Sequence, residues 1–167
     1  MSNNLLLNNA ETVLRLMSKT YNGFQMCHLN SRSLSKSKQD YLNTLFPPTE
    51  LNIICITESW FRSSFTDNLC ELKNYFLLRH DRQKDSQGGG IAVYCKIGLK
   101  ATIVMKSALD SSVEYLGIEI QGEYKTKCSI VCVYNPHYTN HLNGFFEELG
   151  CKSLNYENVI VCGNSFR

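Results

Sequence analysis

Glu58 closes the apolar run Leu51-Asn52-Ile53-Ile54-Cys55-Ile56-Thr57 and is followed at once by Ser59, Trp60 and Phe61. A short run this apolar, rich in β-branched residues, reads as a strand buried on both faces. Open α/β sheets place their ligand chemistry at the carboxyl ends of such strands. A carboxylate is costly to bury without a compensating cation, so Glu58 points to a metal ion or a basic partner. A solvated acid in a strand-to-loop turn is the plain alternative. Cys128, Cys132, His137 and His141 also have ligand chemistry, but a two-Cys, two-His finger needs a far longer gap between its pairs. Gly88-Gly89-Gly90 reads as a turn and not a phosphate cradle, because no helix start follows it.

The surrounding elements alternate in type. Residues 1–22 form a peripheral N-terminal segment with a short helix pattern through Val13, Leu14, Leu16 and Met17. Phe24 to Leu29 reads as a strand ending at Asn30. Ser33 or Ser35 caps a helix whose apolar stripe is Tyr41, Leu42, Leu45 and Phe46, and Pro47-Pro48 stops it. The Glu58 strand follows. Tyr75 to Leu78 and Ile91 to Cys95 pair as a hairpin with a long polar tip, Arg79 to Gln87. Further strands are expected at Ala101 to Met105, Val113 to Ile120 and Cys128 to Tyr134. A helix over Leu142 to Leu154 turns Phe145, Phe146 and Leu149 inward, and a last strand runs from Asn158 to Cys162. Strand, helix, strand, an antiparallel block, helix, strand: the order predicts an α/β protein of two sheets packed face to face with helices outside.

Composition narrows the class. The chain has 167 residues, enough for one domain with a real core, with 43% hydrophobic and 19% charged residues. Lys+Arg number 17 against Asp+Glu 15, so any nucleic-acid footprint must be local. Five of the eight cysteines, Cys27, Cys55, Cys95, Cys132 and Cys162, fall in apolar strand-like runs, where free Cys acts as a small hydrophobe. No disulfide-linked partner is expected. With neither a secretory signal nor a stretch of about 20 apolar residues, the reading is a reducing intracellular compartment, nucleus or cytoplasm, with no membrane partner.

Five motifs occur in one order: His28-Leu29-Asn30-Ser31-Arg32-Ser33-Leu34, Ile56-Thr57-Glu58-Ser59-Trp60, Arg79-His80-Asp81-Arg82, Gly88-Gly89-Gly90-Ile91-Ala92-Val93-Tyr94 and Val133-Tyr134-Asn135-Pro136. Together they resemble the endonuclease/exonuclease/phosphatase family, specifically the apurinic-endonuclease-like domain of non-LTR (LINE-type) retrotransposon proteins. The likeness implies a four-layered α/β sandwich over residues 23–167 that cleaves phosphodiesters with Mg²⁺. In retroelements such a domain nicks DNA so that the freed 3′-hydroxyl primes reverse transcription. Carried over by resemblance, Glu58 is the metal ligand, Asn30 stands between scissile phosphate and carboxylate, and Tyr134 belongs to the phosphate site. Read without the family, Asn30 ends a strand through an Asx-turn and Tyr134 is a core aromatic. Arg79, Arg82 and Lys84 are expected to contact the DNA backbone, or to form a solvated hairpin tip.

The chain departs from the pattern near its end. Where the family carries Gly-Asp-Phe-Asn, this sequence reads Gly163-Asn164-Ser165-Phe166. Asn164 therefore occupies the position of the catalytic aspartate, and an amide cannot accept a proton at neutral pH. Loss of general-base help is typically worth about 10²–10⁴-fold. The family's later Ser-Asp-His region has no counterpart, so the sandwich is expected to be incomplete in its C-terminal half, with an exposed strand edge and impaired catalysis. The alternatives are a non-catalytic remnant with weak DNA binding, and a phosphatase of the same superfamily.

Overall fold

The computed structural model describes residues 23–47, 51–81, 88–109, 111–122, 127–135 and 142–164. The run that ends at Glu58 forms β2 (Ile53–Thr57), and every residue in it is buried. Ile54 and Ile56 point to an outer helix, whereas Ile53 and Cys55 point to a second sheet. Alternate side chains leave a strand on opposite faces, so burial of both parities places β2 inside a layered structure.

Two four-stranded sheets provide the layers. In the first, β1 (Met26–Asn30) pairs parallel to β2. Beyond β2 lie β4 (Ile91–Lys96) and then β3 (Tyr75–His80), both antiparallel to their neighbours. In the second, β5 (Lys100–Lys106), β6 (Glu114–Gln121) and β7 (Lys127–Tyr134) form an antiparallel meander, and β8 (Asn158–Asn164) adds parallel to β7. The rim of each sheet is thus a strand–helix–strand unit, the arrangement that parallel neighbours require.

The crossover helices cover the outer faces. Helix α1 (Lys36–Leu45) buries Leu42 and Leu45, and Phe46 beyond it, against Ile54, Ile56 and Tyr94. Helix α2 (Asn143–Ser153) buries Phe145, with Leu149 partly covered, against Val131 and Val133. Between the sheets lie Ile53, Cys55, Val93, Cys95, Leu116, Ile118, Ile130 and Cys132. Each fully buried aliphatic side chain there contributes about 1.5–3 kcal/mol. Helix, sheet, sheet, helix is the expected four-layer order. One detail differs from the expectation: Phe146 is 48% exposed, not part of the inner stripe of α2. Position 145 already fills the gap above Val131, and one residue further turns the next side chain about 100° away, leaving its ring tilted by 54° against Phe145 at 5.2 Å.

β1 and β8 are the outer strands of their sheets on the same side of the sandwich, each with one partner among the described residues. Leu29 and Ile160 are partly exposed there. Among the described residues no helix is long and apolar enough to cross a membrane.

Candidate active site

Parallel pairing of β1 with β2 sets Asn30 level with Thr57, so the two chains leave the sheet side by side. Ser31 N donates to Thr57 O at 2.9 Å, Ser33 N to Glu58 O at 2.8 Å and Leu34 N to Ser59 O at 2.9 Å. Ser31 Oγ also donates to Glu58 O, at 2.8 Å. This lacing holds four non-glycine residues at positive φ: Arg32 (43°), Ser33 (78°), Glu58 (55°) and Trp60 (59°). Such conformations cost energy and persist only where the surroundings enforce them, typically at functional sites.

The strained turns bring the two predicted polar groups into contact. Asn30 Nδ2 donates to Glu58 Oε1 at 2.7 Å, and Arg32 N donates to Asn30 Oδ1 at 3.1 Å. The second bond fixes the amide with its NH₂ facing the carboxylate. Both side chains are half-buried. A carboxylate held by one amide, with no basic side chain pairing it among the described residues, presents hard oxygen to the open end of the sheet. That donor chemistry suits Mg²⁺, which takes one or two carboxylates and keeps water and phosphate for its other positions.

On its other flank the Glu58 loop leans on the triple glycine. Ser59 N donates to Gly90 O at 3.1 Å and Trp60 N to Gly89 O at 3.0 Å. Gly88, Gly89 and Gly90 all have positive φ, between 78° and 105°, which explains the residue choice as turn chemistry. Gly90 N in turn donates to Glu114 Oε2 at 2.5 Å. Glu114 starts β6, level with Tyr134, and Gly90 precedes Ile91, level with Thr57. This one bond therefore ties the two sheets together at the end where Glu58 sits.

Tyr134 and Asn164 end β7 and β8 as register partners, and Asn135 N donates to Asn164 O at 3.2 Å. Tyr134 is buried, Asn164 half-buried. The structure thus brings Asn30 to Glu58 and Tyr134 to Asn164, one pair from each sheet, at one end of the sandwich. Arg79 is only 18% exposed and spends its guanidinium internally, on Phe65 O at 2.6 Å and on Asp67 and Asp81 at 3.2 and 3.5 Å. Arg82 and Lys84 lie outside the described residues, as do His137 and His141. A groove of about 620 Å³ opens beside the site, lined by Ser33, Trp60, Phe61, Arg62, Phe65 and Gly88 among others.

Sequence reasoning missed Glu114, although parity reveals it. It shares its face of β6 with Leu116, Ile118 and Ile120, so it had to point into the core. Charge-assisted bonds of this kind contribute about 1.5–3 kcal/mol, and their loss leaves Gly90 N unsatisfied. Glu114→Ala is expected to lower unfolding stability by that amount in urea titrations, without changing the secondary structure content.

No family model matches the sequence, and no curated protein does. Solved structures do. The catalytic domain of Xenopus laevis APE2 superimposes with a TM-score of 0.58 at 14% identity, over 85% of this chain and 58% of that one. The human Nocturnin catalytic domain gives 0.55 at 13%, over 86% and 64%. The AP endonuclease LMAP from Leishmania major gives 0.53 at 16%, over 75% and 43%. The chain has the endonuclease/exonuclease/phosphatase fold. It spans less than two thirds of the length of each of these three neighbours. In this fold the likeness is one of architecture; at such identities the residues of the site must be argued from their own geometry.

Proposed function

We propose that this chain is part of a Mg²⁺-dependent DNA-nicking domain of the non-LTR retroelement type, with its cleavage step impaired. The observation that carries the reading is the 2.7 Å bond between Asn30 and Glu58, two polar residues 28 positions apart on strands that the motif order had singled out. Glu58 would hold the ion, and Asn30 would fix the carboxylate and face the phosphate. Tyr134 would stand at the phosphate site from the opposite sheet. When bound, Mg²⁺ supplies Lewis-acid stabilisation of charge on the phosphoryl oxygens. The groove past Trp60 and Phe65 offers aromatic faces and the cation Arg62 to a nucleic-acid strand leaving the site.

Impairment follows from the amide at Asn164. Its oxygen can orient a water molecule but cannot take the proton that water must lose when it attacks phosphorus. Among the described residues, no second carboxylate and no imidazole touches the Asn30–Glu58 pair to take over that role. The test is supercoiled plasmid incubated with the purified chain and Mg²⁺. The plasmid is expected to stay intact, both with the native chain and with Asn164→Asp, because among the described residues no further carboxylate or imidazole joins the Asn30–Glu58 pair. Mg²⁺-dependent nicking that Glu58→Ala abolishes would show a working nuclease and overturn the impairment. Hydrolysis of small phosphoesters with plasmid left intact would favour the phosphatase reading.

A further inference from the structure

Directly beneath the candidate site the inter-sheet core contains a layer of sulfur. Cys55 lies three residues before Glu58, Cys132 two before Tyr134 and Cys162 two before Asn164, so all three sit at one level. Their Sγ atoms lie within 4.8 Å of one another, drawn from β2, β7 and β8. Cys55 and Cys132 are fully buried, whereas Cys162, on the outer strand β8, is only partly covered. His28, level with Cys55 on the neighbouring outer strand β1, is half-buried and Nε2 lies 3.1 Å from Thr57 Oγ1. The cluster therefore has two closed sides and one side reachable from solvent, along the β1–β8 rim.

Two other cysteines of the same inter-sheet core, Cys95 and Cys128, show that packing alone does not produce this convergence. Cys95 is as buried as Cys55 and belongs to the same inter-sheet core, yet it is not within ligating distance of the trio. We infer that Cys55, Cys132 and Cys162 form a three-thiolate site for one thiophilic d¹⁰ cation, Zn²⁺ or Cu⁺. The chemistry fits in three ways. Soft thiolates select these ions, whereas the hard oxygens at Glu58 select Mg²⁺, so the two sites do not compete. Zn–S bonds of about 2.3 Å need sulfurs about 3.8 Å apart, a contraction of under about 1 Å from the present spacing. A cation also resolves the cost of charge at this depth, since a lone buried thiolate is poorly tolerated. Binding releases the thiol protons to solvent and involves no redox change.

This inference does not depend on the proposed nuclease function, and its test does not use activity. The reduced full chain is titrated with Co²⁺ and followed by absorbance. One equivalent is expected to give a near-ultraviolet sulfur-to-cobalt charge-transfer band, which Zn²⁺ then erases. Competition between Zn²⁺ and Cu⁺ chelators identifies the preferred ion. Cys95→Ser should bind as the native chain does, and Cys162→Ser should lose the band with at least about a hundredfold drop in affinity. Should Cys162→Ser fail to fold, the native chain reads the same site by alkylation. Bound Zn²⁺ is expected to shield Cys162, the partly covered member of the trio, while exposed Cys151 reacts with or without metal. No band with Co²⁺ and no uptake of Cu⁺ would overturn the inference, as would a band that survives in a folded Cys162→Ser chain.

Discussion

Glu58→Ala is expected to abolish divalent-cation binding at the carboxyl end of β2 while leaving the fold intact. Mn²⁺ titration followed by electron paramagnetic resonance reads this directly, since bound Mn²⁺ loses its free-ion signal. Among the described residues the carboxylate is the one anionic group at the Asn30 contact, so its removal takes away the ligand and the local charge together. A loss of at least about 10²-fold is expected, more than the 10- to 100-fold typical of groups that merely orient a ligand. Asn30→Ala provides that milder comparison. It keeps the carboxylate but frees it to rotate, and a fall of roughly tenfold is expected. Glu58→Gln should resemble Glu58→Ala, which separates charge from side-chain volume. Stability should change little, because the backbone bonds from Ser33 N and Ser31 Oγ go to the carbonyl of Glu58, not to its side chain. Unchanged Mn²⁺ binding in Glu58→Ala would remove the metal site from this end of the molecule.

Gly163→Ala is expected to have the largest effect on folding. Gly163 has φ 147°, and a Cβ built there would lie 1.9 Å from Val133 O and 2.8 Å from Val133 C and N. Those are backbone atoms of β7, which is paired on both edges, so β7 cannot move aside without breaking its ladder to β6. Backbone strain of this class alone costs about 1–3 kcal/mol, and the clash adds to it. Against a total stability of about 5–15 kcal/mol, the expected result is detachment of β8 or loss of the fold. Far-ultraviolet circular dichroism and urea titration would show either. Gly144→Ala is the control, since a Cβ there meets nothing within 4 Å and the position lies in α2. That change should stabilise the chain by up to about 1 kcal/mol. Equal behaviour of the two variants would refute the packing argument at Gly163.

Much of this architecture was legible because its signals are local. The unbroken apolar run of β2 announced burial on both faces. The alternation of Leu116, Ile118 and Ile120 announced a strand facing one core. Both outer helices showed their stripes, although Phe146 was assigned inward when Phe145 already filled the contact. The Asn30–Glu58 pairing was legible only through the order of motifs, because no periodicity links residues 28 positions apart. What escaped was everything decided between sheets. Glu114 looked like one polar residue among others until β6 faced Gly90. The cysteines looked like small hydrophobes one at a time, which each of them is. Only the face-to-face packing of β2 on β7 and β8 makes three of them neighbours.

The two sheets also divide the chain cleanly: β1 to β4 occupy residues 26–96 and β5 to β8 occupy residues 100–164. Among the described residues, the short turn Ile97–Leu99 is the sole covalent spine between these leaves. Each leaf supplies half of the candidate site, so their alignment rests on the Glu114 clasp and on the side chains pressed between them. Anything that spreads the leaves, from a wedge in the sulfur layer to a bulkier residue at its margin, would disengage both halves together and not weaken one alone.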